Sequence, residues 1–198
     1  MSSNVNISKN TVAIILAAGE SKRLGEPKAL LNCGNKTLIE FIVERLKSVN
    51  LQVIVVTNIK LVELITDSLD STTTIVVPND VSNRTGNLLA GLAVCNTPQR
   101  ILVVPIDRPG WSIETLLQLL SMNETSCPEF EGRGGHPLLI CRKDLDELSN
   151  SPVDLPLNSI FKIKRIKVND PYLHINIDTP SDKISLEKFI KKTETNSG

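Results

Sequence analysis

Val12-Ala13-Ile14-Ile15-Leu16-Ala17-Ala18-Gly19-Glu20-Ser21-Lys22-Arg23-Leu24-Gly25-Glu26-Pro27-Lys28 is the stretch on which the fold turns. Its first five residues are apolar without interruption, as in a strand covered on both faces. Small residues, two glycines and three cations follow. A strand ending in a glycine-containing loop that carries Arg and Lys is suited to phosphate. Small residues let backbone N–H groups approach the anion, and the cations neutralise its charge. The spacing excludes two familiar phosphate loops. A P-loop has four residues between its glycines and Lys-Ser/Thr directly after the second. Here five residues, Glu20 to Leu24, separate Gly19 from Gly25, and Lys28 comes three places later, followed by Ala29. The dinucleotide fingerprint needs three close glycines, and this loop has two. Taken alone, the stretch could also be a surface loop with solvated cations.

The chain has 198 residues and is 40% hydrophobic, enough for one globular domain with a full core. Lys+Arg and Asp+Glu each total 22, so no net basic charge favours a nucleic acid. Aromatic residues make up 3%, which argues against base-stacking platforms. Cys33, Cys95, Cys127 and Cys141 are widely spaced with no C-x-x-C, and read as buried or incidental thiols rather than zinc ligands. Residues 1–10 are polar, lack an apolar signal core and are expected to be disordered. No run approaches membrane-spanning length. These features predict a cytoplasmic protein with no nucleic-acid or membrane partner.

Outward from the opening strand, apolar runs alternate with segments of helical period. Strands are expected at 12–16, 53–57, 74–77 and 101–104, and helices at 37–49, 61–69, 87–95 and 113–122. Thr37 and Glu40 offer a capping box for the first helix, with Leu38, Ile39, Ile42 and Leu46 on one face. The strands are continuously apolar rather than alternating, which predicts a mostly parallel sheet between two helical layers. After residue 122 the pattern changes. Residues 123–137 read as loop with a short strand, 138–141 and 163–168 as strands, and 181–192 as a last helix presenting Ile184, Leu186 or Phe189, and Ile190. The tail from Thr193 is polar and expected to fray. The prediction is a single three-layer α/β/α domain over 11–192. Residues 11–122 form the part that carries the phosphate-type loop, and 123–175 a lobe over the same sheet edge.

Ligands of open α/β sheets sit beyond the carboxyl ends of the strands. The turn Pro105-Ile106-Asp107-Arg108-Pro109 leaves the fourth strand at that edge, and its two prolines stiffen the backbone that aims the Asp107 carboxylate. An aspartate there also stabilises turns as such. Further on lie Asn176-Ile177-Asp178-Thr179-Pro180-Ser181-Asp182 and Gly132-Arg133-Gly134-Gly135-His136-Pro137. The first of these can serve as a helix entry, with Thr179 or Ser181 as N-cap, Pro180 in the first turn and Asp182 facing the dipole. His174 has no constellation around it.

The opening loop resembles the signature L-A-A/G-G-x-S-x-R-M/L-G-x-P/D-K of the nucleoside triphosphate transferases. It matches at Leu16, Ala17, Ala18, Gly19, Ser21, Arg23, Leu24, Gly25, Pro27 and Lys28. The similarity is nearest to the MobA/MocA-like nucleotidyltransferases, the molybdenum-cofactor guanylyl- and cytidylyltransferases, whose fold is that of the nucleotide-diphospho-sugar transferases. The resemblance implies that Asp107 binds the catalytic Mg²⁺ with Asp178 as a second ligand, and that Lys28 and Arg23 neutralise the triphosphate. It places Leu16, Ala17, Ala18, Gly19, Ser21, Asn58 and Asn79 at the nucleotide. It sets Gly135 and His136 on the acceptor side, His136 as general base or as a substrate or loop-ordering contact. The start of the 87–95 helix is expected to face the nucleotide, although its sequence fits neither branch closely. Leu-Ala-Ala-Gly leans towards the cytidylyl branch, whereas Pro105 and Asn176 lean towards the guanylyl branch.

The implied partners are a nucleoside triphosphate, GTP or CTP, and a phosphorylated small molecule such as molybdopterin. The implied reaction is transfer of the NMP with release of pyrophosphate. Two alternatives stand beside it: transfer to a sugar phosphate or another phosphorylated acceptor, and a nucleotide-binding regulatory module without turnover. The second phosphate pKa lies near 6, so a phosphate monoester is mostly dianionic at neutral pH and needs no base to attack. That chemistry calls for cations and carboxylates rather than a Ser-His-Asp or Cys-His set.

Overall fold

A computed structural model describes residues 10–19, 21–79, 83–152 and 155–195. It begins with β1 (Thr11–Leu16), buried along its whole length. A small antiparallel pair, β2 (Asn32–Cys33) and β3 (Lys36–Thr37), leads into α1 (Leu38–Lys47). The expected capping box is present. The Glu40 N–H donates to Thr37 Oγ1 at 3.4 Å, and the Glu40 carboxylate accepts from the Thr37 N–H at 2.6 Å. The repeat continues through β4 (Gln52–Val56), α2 (Val62–Ser68), β5 (Thr74–Val76), α3 (Arg84–Ala93), β6 (Arg100–Pro105) and α4 (Ile113–Leu120). The remainder comprises β7 (Ser126–Phe130), β8 (Arg133–Gly134), β9 (Leu138–Cys141), α5 (Arg142–Asn150), α6 (Leu157–Ile160), β10 (Lys164–Lys167) and α7 (Lys183–Thr195).

The main sheet runs β10-β7-β9-β6-β1-β4-β5, with β8 paired to β7. β1 is parallel to β4 and β6, and β4 is parallel to β5. β9 is antiparallel to both β6 and β7, and β10 is again parallel to β7. Leu16 pairs with both Val56 and Pro105, so the loops after β1, β4 and β6 leave the sheet side by side. That alignment brings distant parts of the sequence to one edge.

Strand period sorts the core into two layers. Ala13, Ile15, Val53, Val55, Leu102 and Val104 join Leu38, Ile42, Leu116 and Phe189 of α1, α4 and α7. Val12, Ile14, Ile54, Val56, Ile101 and Val103 join Leu88, Leu145 and Leu148 of α3 and α5. Each fully buried Leu, Ile or Val is worth roughly 1.5–3 kcal/mol, so coverage on both faces is what keeps β1 central. α3 packs closely because Gly91 has no side chain. A Cβ there would stand 2.7 Å from Ile14 Cγ2 and 2.9 Å from Val56 Cγ2.

Several expectations are corrected. α3 begins at Arg84 rather than 87, because Asn83 caps it by accepting the Gly86 N–H at 2.6 Å. α5 and α6 were not anticipated. α5 alternates charges with a sparse apolar face of Leu145 and Leu148, a weak periodic signal. In the last helix Ile184 points to solvent while Leu186, Phe189 and Ile190 are buried. Helix α7 starts at Lys183, after a 3-10 turn over Pro180–Asp182, and continues to Thr195, past the expected fraying point. Asn10 is tied in, its carbonyl accepting from the Gln99 and Arg100 N–H groups. Residues 1–9, 196–198 and Glu20 lie outside the described residues. All four cysteines are free, and burial pushes the Cys33 thiol up to about 12 and Cys95 to about 11. No helix among the described residues is long and apolar enough to cross a membrane.

Candidate active site

The loop after β1 is closed by its own serine. Ser21 sits at φ +52° and Gly25 at φ +82°, two left-handed residues that fold the loop back on itself. The Leu24 N–H donates to the Ser21 carbonyl at 3.0 Å, and buried Leu24 anchors the turn in the core. The Lys28 N–H donates to Ser21 Oγ at 3.1 Å, which returns Lys28 towards the end of β1. Leu16, Ala17, Ala18, Gly19, Ser21 and Lys28 then line one side of a cavity of about 240 Å³. Asn83, Arg84 and Asn87 of α3 and its cap line another side, and Pro105, Ile106 and Asp107 of the β6 turn also contribute. Asn87 Oδ1 is buried there without a hydrogen-bond partner.

Two carboxylates converge on Lys28. Its Nζ lies 2.6 Å from Asp178 Oδ1 and 3.8 Å from Asp107 Oδ2. Arg23 reaches Asp178 Oδ2 at 3.2 Å, and Asn176 Nδ2 donates to the same oxygen at 2.7 Å. The Lys28 hydrogen bond, with Asn176 second, holds the Asp178 carboxyl down at about 2. The two acids are 71 positions apart in sequence but are stitched directly together, since the Ile177 N–H donates to the Asp107 carbonyl at 3.0 Å. On the other side of Asp178, the Asp182 carboxylate accepts from the Asp178 and Thr179 N–H groups at 2.9 and 2.7 Å. Among the described residues no set of three or more His, Cys, Asp or Glu side chains converges. Asp107 and Asp178 are hard oxygen ligands of the kind that would hold a divalent cation, with phosphate oxygens and water to complete its shell.

The Asp107 turn is fixed from beneath. A Cβ on Gly110 would lie 1.9 Å from the Tyr172 carbonyl oxygen, so only glycine allows that approach. Trp111 is fully buried and its carbonyl accepts from Arg45. The Arg45 guanidinium lies 4.6 Å from the Trp111 ring, 5.1 Å from Phe41 and 5.6 Å from Phe189. Burial lowers its pKa to about 10, with nearby Asp170 opposing. Asp170 itself accepts from the Ser112 N–H at 2.6 Å and from Thr115 Oγ1 at 2.9 Å.

A second cavity of about 980 Å³ adjoins the first, sharing Asn83, Arg84 and Pro105 with it. Its apolar lining includes Val103, Leu138 and Phe161, and its cations include Arg133, Lys162 and Arg165. Gly135 and His136 lie in this wall. Gly135 packs so tightly on Leu173 that a Cβ would stand 2.7 Å from Leu173 Cγ. Burial, then the charges of Arg84 and Arg108, push the His136 pKa down to about 4 against the opposing Asp107, so the imidazole is neutral at pH 7. His136 Nδ1 is buried without a partner. His174, by contrast, is spent on the Phe130 carbonyl at 3.0 Å.

The domain has counterparts among known proteins. The MobA-like NTP transferase domain matches residues 13–168. The chain belongs to that family. A nicotine blue oxidoreductase of Paenarthrobacter nicotinovorans is 36% identical over 110 residues, and a probable molybdenum cofactor guanylyltransferase of Bacillus mycoides is 30% identical over 112. Each match covers 54% of this chain, and the chain spans only about half, 54%, of each of these curated relatives. Among solved structures, a manganese complex of a Mycobacterium tuberculosis protein superposes with a TM-score of 0.76 at 19% identity, covering 90% of this chain and 98% of that one. Molybdopterin-guanine dinucleotide biosynthesis protein A from Archaeoglobus fulgidus superposes with a TM-score of 0.70 at 18% identity, covering 91% and 98%. The three-layer fold is thus shared along nearly the whole chain.

Within this MobA-like domain, Leu16, Ala17, Ala18, Gly19, Ser21, Lys28 and Asp107 gather at one cavity. Arg23 and Asp178 are joined to it through Lys28. The Asn58 side chain instead braces the loop, its Nδ2 donating to the Ala18 carbonyl at 3.0 Å and its Oδ1 accepting from the Lys60 N–H at 3.0 Å. Asn79 is exposed after β5 and is not among the residues lining either cavity. Asn87, the first residue of the 87–95 helix expected to face the nucleotide, lines the loop cavity. Arg84, Arg108 and the Arg45–Trp111 support were not anticipated. Asn83, a preferred cap residue three places before Gly86, was the available signal for Arg84.

Proposed function

We propose that this protein is an Mg²⁺-dependent nucleotidyltransferase that moves an NMP from GTP or CTP onto a phosphate monoester, a molybdopterin-like acceptor, and releases pyrophosphate. The observation carrying this reading is Lys28, held between Asp107 and Asp178 at the mouth of the loop cavity. In this reading residues 11–122 bind the nucleotide and 123–175 the acceptor. The acceptor cavity is at the upper end of the size range for small-molecule sites, which suits an acceptor larger than a simple sugar phosphate.

The triphosphate lies along the loop, with Lys28 turning from Asp178 to the α-phosphate and Arg23 meeting the β/γ end. Asp107 and Asp178 are the residues that would hold Mg²⁺, which when bound supplies charge neutralisation between the two phosphates. An acceptor phosphate oxygen attacks the α-phosphorus in line. The new O–P bond forms as the Pα–O bond to the β-phosphate breaks, and its electron pair leaves with pyrophosphate. No proton need be removed from the dianion, so a neutral His136 serves as an ordering contact rather than a base. The loop's contribution is positioning and charge, the terms that dominate phosphoryl-group transfer.

The test is pyrophosphate release with Mg²⁺, measured over the four common NTPs and a panel of phosphorylated acceptors including molybdopterin. Release that requires both an NTP and a phosphorylated acceptor supports the reading, and the productive pair identifies base and acceptor. Release with sugar phosphates instead selects the first alternative. Tight NTP binding without release under any combination selects the regulatory module.

A further inference from the structure

We propose that Asp170 and Arg45 are positioning residues that set the two site acids, Asp107 and Asp178, against each other. The inference rests on the transferase reading above and adds to it what holds those acids in place. The two residues grip one peptide group from opposite ends. The Trp111 carbonyl accepts from the Arg45 guanidinium. Across the same peptide bond, the Ser112 N–H donates to Asp170 Oδ2 at 2.6 Å. A peptide plane held by a cation at its oxygen and by a carboxylate at its nitrogen is fixed in orientation, and such charge-assisted bonds are roughly twice as strong as neutral ones. Arg45 belongs to α1 and Asp170 follows β10, so the grip ties both to the turn between β6 and α4.

That peptide is one end of a longer seam. Residues 107–112 and 170–177 run beside each other in opposite directions. Ser112 meets Asp170, Gly110 meets the Tyr172 carbonyl, and the Asp107 carbonyl accepts from the Ile177 N–H at 3.0 Å. Asp178 follows Ile177 directly, so any slip of the seam moves Asp178 relative to Asp107. The neutral bond at the Asp107 end is weak beside the charged grip at the other. Capping of α4 does not account for Asp170. Ser112 is itself the cap, its Oγ accepting from the Thr115 N–H at 3.1 Å. Asp170 is only 4% exposed, and the same Oδ2 accepts from Thr115 Oγ1 at 2.9 Å. The Arg45 guanidinium lies among the rings of Trp111, Phe41 and Phe189, and its Nε is buried without a hydrogen-bond partner. Buried charges are a poor source of stability. Spent on one peptide group beside the two acids, they fix geometry instead.

The experiment uses the full chain, with Mn²⁺ as the probe. Mn²⁺ affinity is measured by water-proton relaxation, with and without an α,β-methylene analogue of GTP or CTP, beside kcat and KM for pyrophosphate release. Asp170→Ala and Arg45→Met are each expected to weaken Mn²⁺ binding about tenfold and to lower kcat about ten- to a hundredfold. KM for the nucleotide should move by less than about threefold. Asp170→Asn should recover part of both losses, because its amide oxygen still accepts from the Ser112 N–H. Arg45→Lys should do the same, because it still donates to the Trp111 carbonyl. If the truncations fail to fold, these two conservative variants decide, each falling at least about threefold below wild type in both readouts. Leu148→Ala, a core truncation in the opposite helical layer, controls for lost stability alone. It should lower thermal melting and leave Mn²⁺ affinity and kcat unchanged. Wild-type Mn²⁺ affinity and kcat in folded variants of either residue overturn the proposal. An equal loss in Leu148→Ala also overturns it, as does a wild type that binds no Mn²⁺. Mn²⁺ binding that falls in the variants, with no pyrophosphate release by wild type, would leave the positioning role standing and defeat the transferase reading. Unchanged variants of a wild type that does release pyrophosphate would do the reverse.

Discussion

The centre of the sheet and its β10 edge differ in how they treat charge. β1 is buried residue for residue, and β6 shows only Arg100 partly exposed. β10, Lys-Arg-Ile-Lys, is largely open, and its Arg165 lines the larger cavity. The centre is dry on both faces and its loops are held by buried anchors, Leu24 under the phosphate loop and Trp111 under the Asp107 turn. The edge keeps an open wall with cations over an apolar floor. In the proposed reaction, rigid packing suits a triphosphate whose charges must meet fixed partners, whereas an open wall tolerates an acceptor of larger and less regular shape.

The sharpest way to break this contrast is at the acid of the β6 turn. Asp107→Ala is expected to lower pyrophosphate release by about three orders of magnitude or more, while thermal melting changes little. Turnover close to wild type would remove Asp107 from the chemistry. Next in size is a pair of glycine substitutions, one beside the central strands and one beside the β10 edge. Gly110→Ala drives a Cβ to 1.9 Å from a backbone carbonyl, and should destabilise by about 3 kcal/mol or more in denaturant unfolding. Gly134→Ala meets only Cys127 Sγ at 3.3 Å and the Arg165 side chain at 3.4 Å, which can yield, so about 1 kcal/mol or less is expected. Equal costs would mean that the two regions are equally rigid.

Lys28→Ala should weaken NTP binding about ten- to a hundredfold, and lower turnover further if its contact tightens in the transition state. The same variant sharpens a pH prediction. The Asp178 pKa falls from 3.8 to about 2 on folding, chiefly through Lys28. Its stabilisation is therefore present above pH 3.8 and is lost as pH falls through about 2. Unfolding curves across that window should show a smaller acid-induced loss in Lys28→Ala than in wild type. An identical loss would separate Asp178 from Lys28. The smallest effect is expected at Glu26, whose exposed pair with Lys183 links the phosphate loop to α7. Glu26→Ala should cost about 1 kcal/mol or less.

Legibility followed the same division. Continuous apolar runs with β-branched residues located the parallel strands to within a residue or two. The Thr37–Glu40 box marked the first helix because capping is a local property. α5 escaped because its residues are mostly charged and only Leu145 and Leu148 repeat on its inner face. The start of α3 escaped because Arg84, Thr85 and Gly86, polar or small residues, separate its cap, Asn83, from the apolar period that begins at Leu88. Among the site residues, the loop motif and the Asp107 turn stand out in sequence since each is a short contiguous pattern. Arg84 and Arg45 carry no local pattern, and their positions depend on which elements pack against them.

The sequence by itself determined that a buried strand ends in a cationic, glycine-bearing loop and that carboxylates lie further along the chain. Strand composition and turn chemistry act over a few residues, so they can be read from neighbours alone. Only the tertiary structure decided that Asp107 and Asp178 meet at Lys28, because that meeting depends on β1 and β6 pairing in register and on a backbone bond from Ile177 to Asp107. It also decided that His136 is neutral. Its charge is set by burial and by two arginines that no spacing in the sequence brings near it.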